Sequence, residues 1–131
     1  MIGIIGAMSI ELEEIKKQVT NLSVEEKGIR TFYTGQIMNK NVVLVLAGIG
    51  KVNAAITTTK LLEEYNIDCI INIGVAGGQN GVKHKDVVIS SEVVYHDVDV
   101  TNFGKYKHGQ VPGMNPTFVA DKTLINKTIS V

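Results

Sequence analysis

The sequence predicts an α/β fold in three layers, a three-layer α/β/α arrangement with a mixed central sheet. Three observations carry that expectation. The run Cys69-Ile70-Ile71-Asn72-Ile73 is apolar without alternation and empties into Gly74-Val75-Ala76-Gly77-Gly78, the pattern of a strand covered by helices on both faces. Ahead of it, Val42-Val43-Leu44-Val45-Leu46 gives way to Val52, Ala55, Ile56, Leu62 and Tyr65 at helical spacing. Strand, crossover helix and strand then make one βαβ unit. Residues 31–36 and 42–46 flank the short polar stretch Asn39-Lys40-Asn41, which adds an antiparallel hairpin and makes the sheet mixed. The Cys69 run is expected at the sheet centre.

In chain order, Met1-Ile2-Gly3-Ile4-Ile5-Gly6 reads as the first strand, because it has no basic residue before the apolar run and a carboxylate-rich segment follows at once. Gly6-Ala7-Met8 is a compact turn, and Ser9 is the expected N-cap of a helix reaching about Val19. Leu12, Ile15 and Val19 form its apolar side; Glu11, Glu13 and Glu14 crowd its start, where the helix dipole favours negative charge. The hairpin comes next and ends in Ala47-Gly48-Ile49-Gly50-Lys51. Asn66 and Asp68 close the crossover helix. Beyond the glycine turn, residues 86–90 and 92–96 read as two strands or one bent strand. From Asp97 to Pro116 turn formers dominate, and a loop of about twenty residues in a compact domain implies binding or an interface. A last helix opens near Asp121, with Leu124, Ile125 and Ile129 along one side.

The 131 residues fit one ordinary domain. A hydrophobic content of 44% and a mean hydropathy of +0.15 are globular, and no apolar run approaches the roughly 18 residues of a membrane span. Thirteen basic and thirteen acidic side chains cancel, so no nucleic-acid footprint is expected. The one cysteine, Cys69, excludes an internal disulfide and suits a cytoplasmic location. Arg30 is the one arginine.

Three small-residue loops, Gly6-Ala7-Met8, Gly48-Ile49-Gly50-Lys51 and Gly74-Val75-Ala76-Gly77-Gly78, each follow a predicted strand. In an open α/β sheet they would face one crevice. None fits a nucleotide fingerprint: the first is not G-x-G-x-x-G, and Gly50-Lys51 has Val45 and Val52 where a P-loop needs Gly and Ser or Thr.

The set does resemble the 5′-methylthioadenosine/S-adenosylhomocysteine nucleosidases of the nucleoside phosphorylase superfamily. The segments that carry the likeness are Ile2-Gly3-Ile4-Ile5-Gly6-Ala7-Met8 with Glu11, Gly48-Ile49-Gly50-Lys51-Val52-Asn53-Ala54-Ala55, Ile70 to Gly78, and Tyr95-His96-Asp97-Val98-Asp99-Val100-Thr101-Asn102-Phe103-Gly104. The resemblance implies a nucleoside phosphorylase-like fold, with residues 1–131 as the N-terminal part of one nucleosidase domain. It implies hydrolysis of the adenine–ribose bond, without metal or cofactor. Glu11 is then the residue that acts on the attacking water, Met8 and Ile49 line the ribose and alkylthio pocket, and Ala76 and Gly77 run beneath purine and ribose. Val75 stands where many relatives carry serine. Val100, Phe103 and Pro112 match positions that close the pocket of a neighbouring subunit, which implies a homodimer with the Phe103 loop reaching the adjacent site.

The same resemblance implies a ribose-binding glutamate and a purine-protonating aspartate in a later segment, and after Phe118 the chain offers only Asp121 at a helix start. About half an active site is therefore expected here. Two other readings stay open: a phosphorylase, disfavoured because Arg30 is expected far from the glycine loops, and a binding module that holds a purine nucleoside without turnover. His96, Asp97 and Asp99 make an incomplete metal shell and are read as hydrogen-bonding groups.

Overall fold

A computed structural model describes residues 1–130 and contains two compact units, Met1–Gly77 and a second beginning at Gly78. The first comprises β1 (Ile2–Gly6), α1 (Ser9–Lys17), β2 (Thr20–Lys27), β3 (Arg30–Ile37), β4 (Lys40–Leu46), α2 (Lys51–Glu64) and β5 (Cys69–Ile73). Its sheet has the order β2-β3-β4-β1-β5. β1 runs parallel to β4 and to β5, whereas β2, β3 and β4 pair antiparallel. The sheet is mixed, as expected.

Side chains alternate across the strands, which assigns each to one layer. Ile5, Phe32, Val43 and Val45 pack with Leu61 of α2; Ile4, Val42 and Leu44 pack with Leu12 of α1 on the opposite face. Helices thus cover both sides. Burial of each such aliphatic side chain contributes about 1.5–3 kcal/mol, so Val42 to Val45, all buried, make β4 the core strand. Gly3 lets α2 come close to β1: a Cβ there would lie 2.8 Å from Leu61 Cδ2. Phe32 meets Tyr65 with ring centroids 5.2 Å apart.

The β3–β4 turn is Met38-Asn39, both with positive φ (47° and 62°), between the paired residues Ile37 and Lys40. Positive φ at both central residues is the two-residue geometry that matches strand twist. Asparagine tolerates it well.

Five details depart from the sequence reading. Ser9 is the first helical residue and Met8 the N-cap, because the Glu11 carboxylate, rather than a serine hydroxyl, accepts from the free N–H groups. β2 was not predicted; it is a polar, mostly exposed edge strand. α2 faces the sheet through Thr57 and Leu61, while Val52, Ile56 and Leu62 are exposed. β5 lies at the edge of the described sheet, not its centre, since apolarity on both faces fixes the layers above and below a strand but not its lateral place. Residues 86–90 form no strand: Val87, Val88 and Ile89 have β-branched propensity but no pairing partner there, and propensity is secondary to pairing.

The second unit holds β6 (Glu92–Val93) paired antiparallel with β7 (Phe118–Val119), a 3₁₀ turn at Thr101–Phe103, and α3 (Lys122–Ile129). Tyr95 meets Phe118 edge-on with centroids 6.1 Å apart. The long loop between β6 and β7 is tied down by Gly109 N–H donating to the Val98 carbonyl at 2.7 Å. Gly109 has φ +83°, and a Cβ would collide with Val94 and the Tyr95 carbonyl. Asp121 caps α3, its Oδ1 accepting from Leu124 N at 2.9 Å. Among the described residues no helix is long and apolar enough to cross a membrane.

Candidate active site

Parallel pairing sets the geometry. Gly6 pairs with Leu46 on one side and Ile73 on the other, so β1, β4 and β5 end level and their following loops leave from one edge of the sheet. That edge is where open α/β sheets bind ligands. Ala47 N–H donates to the Gly6 carbonyl at 2.8 Å and joins the first two loops.

Glu11 joins the first and third. Its Oε2 accepts from Ala7 N and Met8 N, each at 2.8 Å, and its Oε1 accepts from Val75 N at 3.1 Å. Met8 N–H is free because the start of a helix leaves its N–H groups without intrahelical partners, and Ala7 N–H comes from the residue just before that cap. An N3 glutamate reaching back to the N-cap N–H is half of a capping box. The third comes from the β5 loop, where Gly74 makes room: a Cβ at this position would lie 2.8 Å from Glu11 Oε1. Hydrogen bonds from Met8 foremost, then Val75 and Ala7, outweigh desolvation and hold the carboxyl below its usual range. Glu11 is therefore a half-buried anion with lone pairs left to accept from a water.

The other predicted residues of this unit lie in the three loops that leave this edge of the sheet. Met8 is half-buried, whereas Ile49, Val75, Ala76 and Gly77 are exposed. Val100, Phe103 and Pro112 belong to the second unit, Val100 half-buried ahead of the 3₁₀ turn and Phe103 and Pro112 exposed. The hydrogen-bonded set around Glu11 is built wholly from the first unit. Asp99 accepts from Thr101 N at 3.0 Å and Thr101 Oγ1 at 2.7 Å, the hydrogen-bonding role expected of it.

Arg30 corrects the sequence reading. It was expected far from the glycine loops, yet its Nη2 donates to Asn53 Oδ1 at 2.9 Å, and Asn53 Nδ2 donates to the Ile49 carbonyl at 2.8 Å. The register explains the proximity: Phe32 pairs with Val45, so Arg30, two residues earlier on the antiparallel strand, lies level with Ala47 at the start of the glycine loop. Hairpin register was the signal that could have found it.

The whole described chain, residues 1–130, matches the family model of the phosphorylase superfamily. The chain belongs to the phosphorylase superfamily. Within this superfamily it is 49% identical over 131 residues to the 5′-methylthioadenosine/S-adenosylhomocysteine nucleosidase of Oceanobacillus iheyensis, an alignment covering 99% of this chain and 57% of that protein. The crystal structure of the corresponding nucleosidase from Neisseria meningitidis, in complex with methylthio-immucillin-A, is 43% identical and superposes with a TM-score of 0.93 over 98% of this chain and 56% of its own. That of the Colwellia psychrerythraea enzyme in complex with adenine is 41% identical with a TM-score of 0.95, covering 98% and 53%. This superfamily member spans little more than half the length of the curated relatives it matches.

Proposed function

We propose that this chain is the N-terminal part of a single nucleosidase domain and supplies the water-handling side of its site, for hydrolysis of the adenine–ribose bond of 5′-methylthioadenosine and S-adenosylhomocysteine. The observation that carries the proposal is the Glu11 carboxylate, held ionised by three backbone N–H groups at the level ends of three parallel strands. In the reaction the N9–C1′ bond breaks, its electron pair leaves with adenine, and C1′ takes on oxocarbenium character. Glu11 takes one proton from a water as its oxygen bonds to C1′, and adenine departs as the neutral base once the purine has gained a proton. Met8 and Ile49 contact the ribose and alkylthio group, and Ala76 and Gly77 let the backbone pass beneath the purine. Val75 contributes its N–H to Glu11; its side chain offers the water no hydrogen bond.

The similarity to named nucleosidases and the fixed anion at this place favour water over a phosphate dianion as the nucleophile. A homodimer completes the proposal, with Val100, Phe103 and Pro112 closing the alkylthio pocket of the adjacent subunit. The exposed Phe103 ring and the exposed apolar stripe Val52, Ile56 and Leu62 of α2 support it. A cytoplasmic setting is part of the same reading.

A second reading is a module that binds a purine nucleoside without turnover, in which Asp121 serves as the α3 cap and not as an acid for the purine. Calorimetric binding and adenine release from methylthioadenosine, measured on wild type and Glu11→Gln, separate the two. The nucleosidase reading expects turnover that falls about 10²–10⁴-fold in Glu11→Gln with binding retained. Binding without turnover in wild type establishes the module instead.

A further inference from the structure

We propose that Arg30 is a positioning residue: acting through Asn53, it fixes the Gly48-Ile49-Gly50-Lys51 loop. This rests on the nucleosidase reading for the claim that Ile49 contacts substrate. The loop itself is intrinsically loose, since Gly48 and Gly50 have φ of +83° and +103° and a Cβ on Gly50 would meet nothing within 4 Å. Its ends are held by Ala47 N–H on the Gly6 carbonyl at 2.8 Å and by Ala54 N–H on the Gly50 carbonyl at 3.0 Å. Between them, the Ile49 carbonyl accepts from Asn53 Nδ2 at 2.8 Å. Ile49 is 72% exposed, so packing does little to hold it.

The two hydrogen bonds of Asn53 interlock by chemistry. A guanidinium has no acceptor and a carbonyl no donor, so Asn53 must turn Oδ1 to Arg30 and Nδ2 to Ile49. Arg30 thereby sets the orientation of the amide that holds the loop. Nothing in local helix propensity requires this. Among the described residues Arg30 Nε is buried without a partner, an arrangement that costs stability by desolvation. A guanidinium kept there at that cost is better explained by what its other nitrogen holds than by packing.

Two variants separate positioning from structure. Arg30→Met removes the buried unpaired Nε and keeps an apolar stem, so folding is retained while the Asn53 amide is released. Asn53→Asp keeps an acceptor for Arg30 but replaces the donor to the Ile49 carbonyl with an oxygen. Both are expected to shift the Ile49 carbonyl 13C resonance and to lower the backbone order parameters of residues 49–51, with residues 42–46 of the core strand unchanged. Both are expected to raise KM for methylthioadenosine by about three- to tenfold while kcat moves less, because a loop that contacts substrate in ground and transition states alike affects binding uniformly. An unchanged Ile49 carbonyl resonance together with unchanged order parameters of residues 49–51 in both variants overturns the proposal whatever the activity. A loosened loop in a protein whose wild type neither binds nor cleaves methylthioadenosine supports the loop coupling and counts against the nucleosidase reading.

Discussion

Glu11 shows what one residue position does and does not reveal. Its place in the first turn of a helix, after a small-residue turn, marks it in the sequence as a charged group at a strand end. Its three donors are backbone N–H groups, which carry no residue-type signature, and one of them, on Val75, is 64 positions away. That part waited for the structure. Because the folded carboxyl titrates below its ordinary value of 4.5, the stability it contributes is present above that value and lost as pH falls through the folded one. Thermal melts are therefore expected to show wild type more stable than Glu11→Gln at neutral pH, with the gap closing below about pH 4.5. Gly74 is a second residue-scale test. Gly74→Ala puts a methyl against Glu11 Oε1, the movable end of a side chain, so the protein folds with a melting temperature within a few degrees of wild type. The carboxylate is pushed off Val75 N–H, and turnover is expected to fall by about tenfold or more, the loss expected when a catalytic group is misplaced.

Elements were legible where their residues had a partner the pattern could imply. β1, α1, the β3–β4 hairpin, α2 and the strand at Cys69 all stand close to their predicted bounds. β2 was hidden because an edge strand with a solvated face has no apolar run to announce it; it is held by pairing with β3 and by Tyr65 Oη donating to Glu25 at 3.0 Å. The segment at residues 86–90 misled in the opposite sense, offering valines and isoleucine with no strand beside them. α2 carries two apolar stripes, and periodicity picked the outer one. The inner row, Thr57 and Leu61, is buried, while Val52 and Ile56 are 73% and 46% exposed. If that outer stripe meets a second copy, Ile56→Glu weakens self-association with little change in folding. Sedimentation velocity over a concentration series would read this as a shift toward monomer, and an unchanged profile would place the interface elsewhere.

At the scale of the whole molecule, the fold class was legible because one hairpin and one βαβ unit suffice to define a mixed, doubly covered sheet. The lateral order of its strands was not, since a parallel neighbour such as β1 can insert between β4 and β5 without leaving a mark in either. The candidate site was legible as three loops at one sheet edge, and the proposed substrate class rests on similarity to named nucleosidases. At the level ends of β1, β4 and β5 the structure holds a carboxylate on three backbone N–H groups, and the proposed function turns on that anion acting on water rather than on phosphate. The rate of adenine release from methylthioadenosine as phosphate is raised from zero tests this most directly. Hydrolysis predicts a rate that is finite without phosphate, flat as phosphate increases and lost in Glu11→Ala. A rate that is zero without phosphate and rises to saturation with it would contradict water as the nucleophile.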